Sequence, residues 1–234
     1  MAPDDADLPA DQAKLEAMLK GRQYGDLFQH LQNVDDYDAV TRDLNWERKA
    51  IFEGQGILIS LSYMNDLWRV GEAMKSKQGD ELKQTAVAMA LYTYALIQID
   101  GLRCTDRAAV ARREAQLFTD HPHVWKYAAG LSTPDRLRTE MVALVFEAGT
   151  SPARMNDDVL CTGPNDGSML QLMEGMVALQ GKMPEPTVGK PGTVGKTIEI
   201  PRAPPGFRPA DQWATEQDAV RTRLPDMLDK VLAR

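Results

Sequence analysis

A chain of 234 residues has room for one large or two small domains, and its 43% apolar and 26% charged content is that of a globular protein. The net charge of −7, with Lys and Arg nowhere gathered into a patch, argues against a nucleic-acid backbone as partner. Structural zinc sites come as groups of four ligands, and the two cysteines form a lone pair outside any such group.

The first residues, Met1-Ala2-Pro3-Asp4-Asp5-Ala6-Asp7, are acidic and contain proline, so they form neither a signal peptide nor an anchor. They resemble the start of a chain left after signal cleavage, which gives an expectation of a periplasmic or secreted protein.

Residues 10–20 are expected to form a short helix, with Ala13, Leu15, Ala17, Met18 and Leu19 apolar and Gly21 as its stop. Residues 24–32 predict a second, with Leu27, Phe28 and Leu31 on one side. Over 37–76, Trp46, Ala50, Gly54, Ile57, Leu61, Met64, Trp68 and Gly71 recur at spacings of three and four, the pattern of one continuous helix face. Ala50, Gly54 and Gly71 would let a second helix approach closely, and Gly54 and Gly56 are positions for a kink. A strand over Ile57-Leu58-Ile59-Ser60-Leu61-Ser62-Tyr63 is the competing reading, because the run is β-rich and follows a glycine.

Asp80 reads as the N-cap of a helix to Ile99 that is apolar on every side, and such a helix belongs at the centre of a core. Its apolar run, 85–99, covers about 22 Å, short of a ~30 Å hydrocarbon layer, so it reads as a buried helix with no insertion into a membrane. Thr105 reads as the cap of a helix ending near Phe118. Pro122 opens a short helix closed by Gly130, and Thr133-Pro134 opens another whose apolar face is Leu137, Met141, Leu144 and Val145. A last core helix, rich in Leu and Met, is expected over 167–179.

From Gly181 to about residue 210 proline and glycine are dense enough to forbid a helix, and Thr197-Ile198-Glu199-Ile200 allows at most one short strand. Helices over 209–223 and 225–232 close the chain. The expected fold is all-α: an irregular array of helices around a central buried helix. Residues 1–180 form its helical domain, and 181–234 a Pro/Gly-rich arm with terminal helices, packed on the same domain or on a partner.

Motifs for chemistry are weak. Five residues separate Gly189 from Gly195-Lys196-Thr197, where a phosphate loop has four, and Ile-Glu-Ile-Pro follows instead of a helix. His121 and His123 flank a proline with no third ligand close by. No nucleophile motif accompanies the three histidines, and no cofactor motif is present. Glu53, Glu140 and Glu147 are the carboxylates that a hydrolase working between helices could use, and they carry the alternative, catalytic reading.

The cysteines are more informative. Cys104 and Cys161 lie just outside helical segments among charged residues, which suits a disulfide joining two neighbouring connections. That bond would gather Asp100, Arg103, Asp106 and Arg107 beside Arg154, Asp157 and Asp158 in a mixed-charge patch, a possible recognition surface for a protein partner. The expectation is therefore an exported helical protein that acts by binding a protein or a ligand.

Overall fold

The computed structural model describes residues 7–32, 36–162 and 205–233. The fold is all-α. The expected helix over 167–179, the strand at 197–200 and the Pro/Gly-rich stretch up to residue 204 lie outside the described residues.

Two short helices, α1 (Gln12–Lys20) and α2 (Tyr24–Gln32), form a hairpin with Gly21 at the C-cap of the first. His30 Nε2 meets Asp11 Oδ2 at 2.7 Å and ties the hairpin together. The long face predicted over 37–76 is divided between α3 (Tyr37–Phe52) and α4 (Ile57–Ala73). The break is a backbone requirement. Gly54 has φ +91°, and a Cβ there would run into the Ala153 carbonyl, so the chain must turn where only glycine fits. The β-rich run from Ile57 to Tyr63 lies in the first turns of α4, which excludes the strand reading. Its apolar side chains face a core, and tertiary burial overrides local β-preference.

The central element is α5 (Lys77–Asp100), in which every residue from Ala86 to Ile97 is buried. It packs against α4, α6 (Arg107–Thr119), α7 (Pro122–Ala129), α8 (Thr133–Thr150) and the C-terminal helix. Among the described residues its segment is long and apolar enough to cross a membrane, and 83% of that window is buried inside the fold, which accounts for its apolar character. Gly71 of α4 and Gly79 of α5 bring the two helices together, because a Cβ on Gly71 would stand 2.8 Å from the Gly79 carbonyl oxygen. Farther along, Ser60 Oγ and Thr93 Oγ1 meet at 2.9 Å across the same interface.

Two caps differ from expectation. Ser76, not Asp80, caps α5 by accepting the Gly79 N–H, and Asp80 falls in the first turn. Asp106, not Thr105, caps α6, accepting the N–H groups of Ala108 and Ala109 at 2.8 and 3.1 Å. A carboxylate has acceptor capacity for two amides and is favoured by the positive end of the helix.

The largest departure on a helix face is in α8 (Thr133–Thr150). Its buried face is Thr139, Ala143, Glu147 and Thr150, whereas Leu137, Met141 and Val145 point outward. Leu144 is partly buried. Packing chose the polar side because its partners are polar: Tyr92 Oη donates to Thr150 Oγ1 at 3.0 Å, and Arg154 binds Glu147.

After the short helix α9 (Asp158–Thr162), the described chain resumes at Pro205 and ends in α10 (Ala214–Leu232). Pro225 sits inside α10, so the two helices expected at 209–223 and 225–232 form one helix from residue 214 onward. A mid-helix proline costs about 3 kcal/mol. Leu224, Leu228, Val231 and Leu232 are all buried against the core, each worth about 1.5–3 kcal/mol, so burial on both sides of Pro225 outweighs that cost.

Candidate functional site

Cys104 and Cys161 are joined by a disulfide with Cα atoms 5.1 Å apart. It links the turn after α5 to α9, and both cysteines are buried. The returning chain is fastened at the same point. Phe207 forms an isolated antiparallel bridge with Cys104, Thr105 N–H donates to the Gly206 carbonyl at 3.0 Å, and Arg208 N–H donates to the Arg103 carbonyl at 2.7 Å.

Around this junction the structure divides the seven charged residues of the expected patch. Asp100, Arg103 and Arg154 are buried and pair with one another. Arg154 Nε lies 2.8 Å from Asp100 Oδ2, and Arg103 Nη2 lies 3.3 Å from Asp100 Oδ1. Arg154 also reaches Glu147 Oε1 at 2.7 Å, and Arg221 of α10 reaches the same oxygen at 3.1 Å. Burial pushes the Asp100 carboxyl up, and the two guanidinium groups pull against it. The Arg103 guanidinium also lies 4.8 Å from the Trp213 ring centre, a cation–π contact that holds the start of α10.

The remaining four lie nearer the surface. Asp106 and Arg107 are exposed; Asp106 caps α6 and Arg107 donates to the Gly101 carbonyl at 2.8 Å. Asp157 and Asp158 are half-buried. Asp157 accepts backbone N–H groups, and Asp158 forms an ion pair with Arg22.

Two of the carboxylates proposed for catalysis are held in ion pairs: Glu53 pairs with Lys49 at 3.4 Å, and Glu147 belongs to the buried network. The third, Glu140, is raised by burial and by the like charges of Asp229 and Asp226 of α10. A different carboxylate group went unnoticed in the sequence. Glu47 of α3 is fully buried, and both its oxygens lack a hydrogen-bond partner of good geometry, with Ser62 offering only a weak contact. Burial and the neighbouring Asp66 push Glu47 well above the usual carboxylate range. Asp66 is raised by burial and is held back by Arg69 at 3.0 Å, and burial lifts Asp43 to about 6. Glu47 has no exposed surface, so this group is a feature of the interior and not a cleft for substrate. Its only sequence signal was an acid directly beside the core residue Trp46.

An open groove of about 730 Å³ lies between α4, the start of α5, α7 and the turn into α8. Its floor is aromatic. The Trp68 ring lies 4.9 Å from the His123 ring and 5.6 Å, edge to face, from Tyr127. Glu72, Asp80 and Asp135 supply carboxylates to the lining. Lys83 Nζ is held 3.4 Å from both Glu72 and Asp80 and 5.5 Å from the Tyr127 ring centre. In the sequence Trp68 read as core and His121-Pro122-His123 as a turn. The aromatic density of Trp125 and Tyr127 beside that turn was the missed signal. His121 is half-buried and lowered by burial. Among the described residues no group of three or more His, Cys, Asp or Glu side chains could hold a metal ion.

Compared with known proteins, the chain matches no family model, no curated protein and no solved structure.

Proposed function

We propose that this is an exported, periplasmic or secreted, helical protein that acts by binding a protein partner or a ligand. The observation that carries this reading is the open groove floored by Trp68, His123 and Tyr127. Aromatic rings offer large contact area at low conformational cost, and a rim of carboxylates gives such a floor polar selectivity. The buried disulfide is compatible with an oxidising compartment, where such bonds persist. The catalytic alternative draws less support, since Glu53 and Glu147 are held in ion pairs and Glu140 does not line the groove.

The test compares wild-type protein with a Trp68→Ala, His123→Ala double variant as bait in extracts of the producing cell envelope and medium. A molecule retained by the wild type and lost by a folded double variant supports the reading. Equal retention by both removes the groove from the binding surface.

A further inference from the structure

The groove at Trp68 carries a charge pattern that selects its occupant. Its lining holds three carboxylates, Glu72, Asp80 and Asp135, against one lysine, Lys126. Asp135 is turned to its own helix, accepting the Ser132 hydroxyl and pairing with Arg138 at 3.8 Å. Glu72 and Asp80 are 58% and 60% exposed, whereas Lys83, the cation between them, is 18% exposed. The lysine thus lies beneath and its two carboxylates stand out into solvent. One ammonium offsets one of the two, so the pair keeps an excess of negative charge.

The protein already holds one cation here by ring and carboxylate together, because Lys83 Nζ sits 5.5 Å from the Tyr127 ring centre as well as beside Glu72 and Asp80. Trp68 offers a second ring, and indole is the better face for such a contact. It stands one turn before Glu72 on α4, so the two side chains share a helix face. His123 and Tyr127 meet Trp68 at 57° and 83° between ring planes, so neither lies flat on it. Among the described residues cations stand over the rings of Tyr127 and Trp213, and none over Trp68.

A second cation has to be supplied by the occupant, and the chemistry favours arginine. A guanidinium lies flat on an aromatic ring while its N–H fork binds carboxylates at the edge, whereas an ammonium is a point charge that Lys83 already provides. An open groove of about 730 Å³ suits a stretch of chain crossing it, since a small ligand is usually enclosed over most of its surface. The net charge of −7 draws a basic segment toward the chain. We propose that the groove binds an extended, arginine-bearing segment of a partner protein, with one guanidinium on Trp68 and against Glu72 and Asp80. This rests on the reading of the groove as the binding surface and names the chemistry that it selects.

The test titrates the full, disulfide-bonded chain with a fluorescein-labelled peptide of alternating arginine and glycine, followed by anisotropy. Two analogues carry lysine or uncharged citrulline in place of arginine. Saturable binding of the arginine peptide is expected, weaker by at least about fivefold with lysine and about tenfold with citrulline. Glu72→Gln with Asp80→Asn should weaken it at least about tenfold, and Trp68→Leu likewise. If the leucine variant does not fold, Trp68→Phe, which keeps a weaker ring, should give an intermediate loss. Binding that is equal for the lysine peptide, or unchanged by these substitutions, would overturn the proposal by showing attraction to the acidic surface at large. Tighter binding of tetramethylammonium than of the peptide would overturn it in favour of a small cation. No saturable binding up to about 1 mM peptide would overturn the arginine assignment. The reading of the groove as the binding surface then stands if the Trp68→Ala, His123→Ala bait loses a molecule that the wild type retains, and falls as well if the two baits agree.

Discussion

Asp157 Oδ2 accepts the backbone N–H of Ile57 at 2.7 Å, so the first turn of α4 is capped by a residue one hundred positions away. The same side chain accepts the N–H groups of Val159 and Leu160 through Oδ1, at 2.9 and 3.1 Å, and caps α9 as well. Gly56, the residue before α4, has no side chain to do this, and a Cβ there would collide with the Asp157 carboxylate. One carboxylate thus sets the distance between the α3–α4 turn and the segment that carries Cys161.

Asp157→Ala should therefore remove two helix caps together. Each cap contributes about 0.5–2 kcal/mol, so a loss of about 1–4 kcal/mol is expected in urea unfolding. Asp157→Asn, which keeps one acceptor oxygen, should lose less. An alanine variant as stable as the wild type would show that the bond to Ile57 carries no weight.

Cys104 and Cys161 are 57 residues apart in sequence, and a cross-link of that span stabilises by about 4 kcal/mol in the chain-entropy view. The double variant Cys104→Ser, Cys161→Ser should show a loss of this order relative to the oxidised protein. Thiol counting of the wild type in denaturant without reductant should find no free thiol; two per chain would refute the bond.

The division of the chain at Gly181 can be tested through its core. Leu96 of α5 and Leu228 of α10 are both buried. Leu96→Ala and Leu228→Ala should each cost about 2–5 kcal/mol by lost burial and the cavity left behind. A single cooperative transition in both variants would make α10 part of one folding unit with α5. A Leu228→Ala transition that splits in two would mark the C-terminal part as a separate unit.

Glu47 gives a pH dependence whose sign follows from its burial. Its folded-state pKa lies above the unfolded value, so between the two the folded chain binds more protons and stability falls as pH rises. Asp43, raised to about 6, acts in the same direction over about pH 4 to 6. Glu47→Gln cannot ionise, so it should be more stable than the wild type at pH 8 by about 1–3 kcal/mol. The advantage should shrink toward pH 5. An advantage of equal size at both pH values would mean that ionisation of Glu47 is not its source.

Much of this fold was legible because its signals are local. Gly21, Pro122, Gly130 and Thr133-Pro134 punctuate helices through backbone geometry that each residue imposes on its own neighbours. The unbroken apolar content of 85–99 marked a central helix, since no surface position tolerates it. The candidate groove was not legible. It is assembled from α4, α5 and α7, and the spacing of Trp68 within its helix is the same whether the ring faces a core or lines a groove.

By itself the sequence determined an all-α protein, the central position of α5 and the pairing of two cysteines, because apolar content, punctuation and the want of any other cysteine partner are properties of the chain. Only the tertiary structure decided where the long helix breaks, which face of α8 is buried, and that Asp100, Arg103 and Arg154 lie inside. Those outcomes depend on what each residue meets across space. Gly54 must clear the Ala153 carbonyl, Glu147 finds Arg154 and Arg221, and Asp157 finds the amide of Ile57, and none of these partners is a neighbour in sequence.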